Sequence, residues 1–272
     1  MSDVKGFTQA NKAAWDASAP AHEAGEDWSA LIRDVAKPGF SAFDATLTET
    51  LQDIGVKGQR VVQIGCNNGR ELLSLPSFGA APVLGIDQSS AFLDQARRLA
   101  DIARSDCAFL EADIYALPEE TPWGFDLALI TIGVLNWMPD LPRFFEIVAG
   151  LLAPGGRLVI YETHPFLEMF EPKDEDPFRL VHSYFKSDPF IEHEVMTYDG
   201  TDGGKGETSY WFLHNLGDIV TGCVQAGLAI ERLTEHGHSN REVAYDKYEG
   251  QAAQLPLCYT LVARKRKQRR AR

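Results

Sequence analysis

Short apolar runs alternate with amphipathic stretches through the middle of the chain. Phe92, Ala96, Leu99 and Ala103 recur at the spacing of one helical face, and Ser89 stands where it can cap that helix. The apolar runs around this helix predict strands over 60–64, 83–86, 108–110, 125–130 and 157–161. Strands that alternate with helices pair in parallel through right-handed crossovers, so the pattern predicts a doubly wound α/β sheet.

The same periodicities extend the prediction to both ends of the chain. Near the C-terminus, a helical stripe runs from Leu216 to Val224, and Gly227 is placed to end that helix. Two further strands follow, over 228–233 and 258–263. Before the first strand, the spacing predicts three helices, over 8–17, 28–36 and 41–54. The first two of these are expected to lie outside the main sheet.

Residues 164–214 interrupt the alternation of strands and helices. The segment is rich in proline, aspartate and aromatic residues and shows no regular period. A long irregular insertion in a compact domain is usually a lid or a binding loop. We therefore expect residues 164–214 to form a wall that faces the substrate.

Composition places the chain among ordinary globular proteins. Its 272 residues are 44% hydrophobic and 24% charged, with no internal repeat and no linker. No apolar run approaches the roughly 18 residues of a membrane-spanning helix, and the N-terminus lacks the features of a secretory signal, so we expect a cytoplasmic protein. Four cysteines without a C-x-x-C pair and seven scattered histidines predict no metal site.

The charge is unevenly distributed. Residues 264–272 hold seven lysines or arginines and no acid, whereas the remaining 263 residues carry 19 bases against 39 acids. An acidic body repels a nucleic-acid backbone, while the basic end alone would attract one. We expect a disordered basic tail, and nucleic acid is not the favoured partner.

The first strand runs directly into a glycine-containing turn, Gln63-Ile64-Gly65-Cys66-Asn67-Asn68-Gly69, and a helix is expected from Arg70. Gly65 allows a tight turn off the strand, and the small residues that follow let backbone N–H groups approach a ligand. Asp87 ends the second strand 22 residues after Gly65, where a carboxylate can accept both hydroxyls of a ribose. Asp113 ends the third strand at the same sheet edge.

Five segments in this order resemble the class I S-adenosylmethionine-dependent methyltransferases. They are QIGCNNG, GIDQS, EADI, FDLALITIGVLNWMPD and LLAPGGRLVIYETHP, and the resemblance covers roughly residues 58–164. It implies a seven-stranded Rossmann-like sheet whose last strand is antiparallel and inserted beside the sixth. It also implies S-adenosyl-L-methionine as the cofactor. The chain then divides into an N-terminal helical lid at 1–40, a cofactor-binding half at 58–163, the insertion at 164–214 and the tail at 264–272, all within one domain, 1–272.

The resemblance assigns roles along the strand ends. It implies that the turn cradles the methionine part of the cofactor, that Asp87 holds the ribose, and that residues 131–133 line the sulfonium side. Trp15 either covers the cofactor or only anchors the first helix. The complete set of implied cofactor contacts is Trp15, Gln63, Gly65, Asn67, Asn68, Gly69, Asp87, Gln88, Asp113, Ile114, Thr131 and Gly133.

Two positions depart from the family pattern. Gln63 stands where the family usually has an acid, which removes a carboxylate that would favour the charged form of the cofactor's amine. Asn67 stands where the family usually has a glycine, and asparagine tolerates the left-handed backbone that the turn needs.

Methyl transfer needs alignment more than acid–base chemistry, so few residues qualify as catalytic. His164 follows the fifth strand, where it serves either as a base for the acceptor or as a strand-end histidine bonded to the backbone. Asn136 follows the fourth strand, where class I enzymes place groups that contact the acceptor.

Three functions remain open from the sequence. The leading hypothesis is in-line methyl transfer to a small-molecule metabolite in an aromatic-lined pocket. The alternative on the same fold is cyclisation of S-adenosylmethionine to azetidine-2-carboxylate and methylthioadenosine, which the missing acid at Gln63 would favour. The third hypothesis, an RNA or protein methyltransferase that uses the basic tail, fits the acidic body poorly. No membrane partner is expected, and a homodimer stays open.

Overall fold

Three helices precede the sheet: α1 spans Val4–Glu23, α2 Glu26–Val35 and α3 Ala45–Ile54. The computed structural model describes residues 3–24, 26–197 and 203–267. Helix α3 begins four residues later than the predicted 41–54, because the Asp44 side chain accepts a hydrogen bond from the Leu47 N–H and caps the helix there. Helix α2 lies close to the predicted 28–36, whereas α1 extends beyond the predicted 8–17 at both ends.

In the described part of the chain, nine strands follow in two sheets. In chain order they are β1 Val61–Ile64, β2 Val83–Asp87, β3 Ala108–Glu111, β4 Phe125–Ile130, β5 Leu152–Thr163, β6 Phe190–Glu194, β7 Lys205–Trp211, β8 Leu228–His236 and β9 Cys258–Lys265. The main sheet has the order β3-β2-β1-β4-β5-β9-β8. Its pairings are parallel except that β9 runs antiparallel to both neighbours. The predicted seven-stranded sheet, with its last strand inserted beside the sixth, is confirmed.

Helices α4 (Ser90–Ala103), α5 (Leu141–Leu151) and α6 (Leu216–Gln225) flank this sheet. The Ser89 hydroxyl accepts a hydrogen bond from the Phe92 N–H, which confirms the predicted cap of α4. Phe144, Phe145 and Cys223 are wholly buried in the core that α5 and α6 share with the sheet. This packing fixes one face of the sheet and leaves the carboxyl ends of its parallel strands free for a site.

Two predictions near the sheet need correction. The segment after the glycine turn is a seven-residue 3₁₀ helix, Leu72–Phe78, because Pro76 lacks the N–H that an α-helix would use there. The basic tail begins later than residue 264, because β9 continues to Lys265 and Arg264 forms an ion pair with Glu231. Residues 268–272 of the predicted tail lie outside the described residues.

The insertion at 164–214 contains regular structure that the sequence did not predict. Strands β6 and β7 pair antiparallel, with Phe190 opposite Trp211, and form a hairpin beside the main sheet. Helix α1 packs along β7, where Asn11 exchanges two hydrogen bonds with the backbone of Tyr210, at 2.7 and 3.0 Å. Within the described residues, no helix is both long and apolar enough to cross a membrane.

Candidate active site

The turn after β1 uses the left-handed backbone that its residues permit. Gly65, Asn67 and Gly69 have φ values of +65°, +49° and +77°. A Cβ on Gly65 would lie 2.7 Å from the Val134 Cγ2 atom, so only glycine lets the chain turn there. Asn67 adopts the left-handed conformation expected of it.

Asp87 organises this turn from the end of β2. Its two carboxylate oxygens accept hydrogen bonds from the Asn67 N–H at 2.7 Å and the Ser89 N–H at 2.9 Å. Burial raises the pKa of Asp87, partly offset by these hydrogen bonds. Each carboxylate oxygen has a second lone pair, so the side chain that shapes the turn can also accept hydroxyl groups from a ligand.

Glu162, which sequence reasoning missed, organises the loop after β4. Its carboxylate is 1% exposed and accepts hydrogen bonds from the N–H groups of Gly133 at 2.5 Å and Leu135 at 3.0 Å. Burial raises the pKa of Glu162 to about 8, even though these N–H groups favour the ionised form. Glu162 therefore holds the loop that carries Gly133 and Asn136.

A cavity of about 390 Å³ lies at the carboxyl ends of the parallel strands, between the sheet, α1 and the insertion. Nine of the predicted site residues line it: Trp15, Gly65, Asn67, Asp87, Gln88, Asp113, Ile114, Gly133 and Asn136. Five do not line it: Gln63, Asn68, Gly69, Thr131 and His164. The cavity thus brings together residues that lie far apart in the sequence.

The residues outside the lining have structural roles. The Gln63 amide donates to the Thr131 hydroxyl at 3.1 Å, and its own buried carbonyl oxygen has no hydrogen-bond partner in the structure. The Asn68 side-chain carbonyl accepts a hydrogen bond from the Arg70 N–H at 3.3 Å. A Cβ on Gly69 would lie 3.1 Å from Ala96, so this glycine allows the turn to pack on α4. None of the four lines the cavity, and the cofactor contacts expected of them stay predictions.

His164 does not reach the cavity. Its ring is 4% exposed; Nδ1 accepts from the Phe166 N–H at 3.1 Å, and Nε2 lies 2.9 Å from a Glu235 carboxylate oxygen, to which it donates. Burial lowers the pKa of His164 despite that carboxylate. The geometry matches the alternative of a strand-end histidine bonded to the backbone, and it gives no support to a role as base.

Asn136 lines the cavity and also connects the loop after β4 to Phe212. Its side-chain NH₂ group donates to the Phe212 main-chain carbonyl at 3.1 Å, and the main-chain carbonyl of Asn136 accepts from the Phe212 N–H at 2.7 Å. The loop after β4 is thereby fixed to the end of the hairpin. Asn136 is a positioning residue in this geometry.

Helix α1 covers the cavity through contacts with the strand ends. The Thr8 hydroxyl donates to Asp113 at 2.7 Å, and the Lys12 ammonium group donates to the Gln88 carbonyl at 2.7 Å. Asp16 accepts from the Ser89 hydroxyl at 2.6 Å. Together with the bonds from Asn11 to β7, these contacts hold the helix on both the sheet and the hairpin.

Three tryptophans form the aromatic part of the lining. The rings of Trp15 and Trp137 meet edge to face at 5.3 Å between centroids, and those of Trp137 and Trp211 do so at 4.9 Å. Trp15 also contacts Phe92 of α4 at 5.4 Å. Trp15 therefore lines the cavity and anchors α1, so the structure combines the two roles that the sequence left as alternatives.

The insertion contributes carboxylates that sequence reasoning did not select. Glu168 is 8% exposed and accepts hydrogen bonds from the Trp211 indole N–H at 3.0 Å and the Tyr245 hydroxyl at 3.3 Å. Burial raises the pKa of Glu168 to about 7. Glu242, which follows β8, also lines the cavity, and burial together with the charge of Asp246 raises its pKa to about 7. Across the described ranges, no three His, Cys, Asp or Glu residues are placed to hold a metal ion.

Comparison with known proteins agrees with this geometry. A family model described as a methyltransferase domain matches residues 62–158. This match to a methyltransferase domain confirms the resemblance of this part of the chain to the class I S-adenosylmethionine-dependent methyltransferases. The chain is similar to the ubiquinone biosynthesis O-methyltransferase of Coxiella burnetii, 31% identical over 107 residues, which are 39% of this chain and 44% of that protein. Trans-aconitate 2-methyltransferase of Methylobacterium nodulans is 34% identical over 133 residues, which are 48% of this chain and 46% of that protein.

Solved structures of methyltransferases share the fold. An S-adenosylmethionine dependent methyltransferase from Mesorhizobium loti aligns with a TM-score of 0.54 at 21% identity, covering 81% of this chain and 98% of that one. Geranyl diphosphate C-methyltransferase from Streptomyces coelicolor, in complex with S-adenosyl-L-homocysteine, aligns with a TM-score of 0.55 at 14% identity, covering 81% of this chain and 79% of that one. The chain spans about half the length of the curated relatives that it matches.

S-adenosylmethionine is the cofactor of this family, and the cavity has the donor set to hold it. Gly65, which has no side chain, and Asn67 line the cavity at the left-handed turn, and Asp87 keeps free lone pairs beside them. Gln88, Asp113 and Ile114 line the neighbouring strand ends. The residues present fit the cofactor.

Proposed function

We propose that this protein transfers a methyl group from S-adenosylmethionine to a small-molecule acceptor. One observation carries the proposal: a single cavity joins the strand-end residues of the cofactor half to the wall formed by the insertion, under the cover of α1. A concave cavity of about 390 Å³ bordered by the sheet, α1 and the insertion has the size and shape of a small-molecule site.

The residues on the cofactor side have holding roles in this proposal. Asp87 would accept the ribose hydroxyls, and the backbone of Gly65 and Asn67 would contact the methionine part. Asp113 and Ile114 would border the adenine. When bound, the cofactor supplies an electrophilic methyl group; the acceptor's lone pair forms the new bond while the electron pair of the broken bond stays on sulfur.

The remaining task of the protein is to align the reactants and exclude water. Glu162 fixes the loop that carries Gly133 and Asn136, and Asn136 fixes that loop to the hairpin. Trp15 and Trp137 line the cavity in edge-to-face contact with each other. No part of this arrangement requires His164.

Product analysis tests the proposal. The purified protein is incubated with S-adenosylmethionine alone and with panels of phenols, carboxylic acids and amines, and the products are separated by mass spectrometry. Adenosylhomocysteine that forms only with an acceptor supports methyl transfer. If methylthioadenosine forms without any acceptor, the reaction is cyclisation and the proposal is wrong. The absence of a carboxylate at Gln63 favours that alternative.

A binding measurement gives an independent readout. Calorimetric titration of the protein with adenosylhomocysteine is expected to show one site per chain. A folded protein that binds neither adenosylhomocysteine nor S-adenosylmethionine would contradict the proposal whatever the acceptor panel contained.

A further inference from the structure

The substrate side of the cavity carries an excess of carboxylates. Five glutamates line it: Glu168, Glu171, Glu192, Glu194 and Glu242. Lys173 lies in the same wall, and its ammonium group forms an ion pair with Glu194 at 3.0 Å. His182 is the other basic side chain in the described lining of that side. Four carboxylates therefore have no cation to balance them when all five are ionised.

Glu242 is the clearest example of an unbalanced carboxylate in this wall. Its side chain lines the cavity, and within the described residues its carboxylate makes no hydrogen bond and no ion pair. A carboxylate withdrawn from water without a partner is costly to ionise, and this burial, together with the nearby charge of Asp246, raises the pKa of Glu242. A cation that entered the cavity would supply the missing partner.

Glu168 lies in the same lining, in a fixed position. The Trp211 indole and the Tyr245 hydroxyl each donate one hydrogen bond to a different carboxylate oxygen, so the side chain is oriented while further lone pairs stay available. Its pKa of about 7 lies in the range in which a carboxylate takes up and releases a proton at neutral pH.

Aromatic rings share the cavity with these carboxylates. Trp15, Trp137 and Trp211 line it together, linked by the edge-to-face contacts described above. Aromatic rings and carboxylates around one space are the combination that binds ammonium groups, because the ring faces attract a cation and the carboxylates accept its protons. A carboxylic acid or phosphate would meet repulsion from the same wall.

We propose that the acceptor is an amine, bound as its ammonium ion by Glu168 and Glu242, and that Glu168 takes the proton that the amine must lose. The proposal rests on the proposed function. The N–H bond of the ammonium breaks, its electron pair stays on nitrogen as the lone pair that accepts the methyl group, and the proton forms an O–H bond with the Glu168 carboxylate. Glu168 returns that proton to solvent after the product leaves.

The test uses the full chain saturated with adenosylhomocysteine. Matched probes are titrated by calorimetry: phenethylamine and tyramine, the corresponding alcohols, and the corresponding carboxylic acids. We expect the amines to bind about tenfold or more tightly than the alcohols, which is the worth of one hydrogen bond to a charged group. We expect the acids to bind most weakly. Equal or tighter binding of the alcohols or acids, or no rise in melting temperature with any amine, would overturn the proposal.

Variants assign the effect to the two glutamates. Glu168→Gln and Glu242→Gln should each weaken amine binding about tenfold and leave the affinity for adenosylhomocysteine within about twofold of the wild type. Glu175→Gln is the matched control: it removes the same charge from an exposed position outside the cavity and should change neither affinity. The alcohols should bind both cavity variants as they bind the wild type.

The cofactor offers a competing explanation, because its own sulfonium ion is a cation. If the glutamates serve the sulfonium alone, both cavity variants will weaken S-adenosylmethionine binding more than adenosylhomocysteine binding and leave amine binding unchanged, which refutes the inference. Failure to bind adenosylhomocysteine at all would instead refute the proposed function, so the two failures are distinguishable.

Discussion

Replacing Asp87 with asparagine tests the assignment of the cofactor half most sharply. Both carboxylate oxygens already accept backbone N–H groups, from Asn67 and Ser89, and in the proposed function the remaining lone pairs accept ribose hydroxyls. Hydrogen bonds to a charged group contribute about 1.5–3 kcal/mol. Since 1.4 kcal/mol corresponds to a factor of ten, we expect Asp87→Asn to raise the Kd for adenosylhomocysteine about 10- to 150-fold.

The assay must separate this loss from a loosened turn. The substituted asparagine would present an amide group to one of the two N–H donors, so stability should also fall, by about 1–3 kcal/mol for a backbone donor left without a partner. Ser89→Ala is the structural control at the same junction: it removes the cap of α4 and the hydrogen bond to Asp16 of α1, and Ser89 does not line the cavity. It should lower stability by about 1–2 kcal/mol, and any rise in Kd should stay well below that of Asp87→Asn because the ribose acceptors of Asp87 are intact.

Titration calorimetry and denaturant unfolding on the wild type and both variants decide the matter. A folded Asp87→Asn protein with an unchanged Kd would refute the ribose assignment. A Ser89→Ala protein whose Kd rises as far as that of Asp87→Asn would show that Asp87 acts only through the junction.

Three further predictions address the cover, the buried acid and the tail. Trp15→Ala should lower turnover by a larger factor than it lowers the folding equilibrium constant. Hydrogen exchange should show that α1 gains more protection than α6 when adenosylhomocysteine binds. A variant that loses only melting temperature would show that Trp15 serves packing alone. The pKa of Glu162 is about 8 in the folded protein and near 4.5 in the unfolded chain. The stability contributed by protonated Glu162 is therefore complete below pH 4.5 and is lost as the pH rises to 8. The free energy of unfolding falls by at most about 1.4 kcal/mol per pH unit over that range. Denaturant unfolding at several pH values should therefore show a shallower decline for Glu162→Gln than for the wild type, and parallel curves would contradict the assignment. Truncation after Lys267 keeps β9 intact and should leave turnover of a small acceptor within about twofold, whereas a strong loss would revive the nucleic-acid hypothesis.

The sequence was most informative where the signal is local. Apolar runs and helical spacing lie within a few residues of each other, so strands such as β4 and the cap at Ser89 were predictable. Asp87 was predictable because its spacing from Gly65 is fixed by one strand–helix–strand unit. These features depend little on the rest of the chain.

The substrate wall depends on long-range pairing, and there prediction failed. Glu168 acquires its neighbours from β7 and from residues 242–245, which no local pattern connects to it. His164 has the residue type expected of a base, but Glu235 and the Phe166 backbone occupy its ring. A signal for the missed residues existed in the acids that interrupt the aromatic-rich insertion.

Helix α1 has a thermodynamic consequence for the two ligands. It bonds to Asp113 and Gln88 on the cofactor side and to Tyr210 on the hairpin side, so one rigid element borders both halves of the cavity. A cofactor that holds α1 in place also completes the wall that the acceptor meets, and an acceptor that does so completes the cofactor site. By linkage, each ligand must then increase the affinity for the other by the same factor.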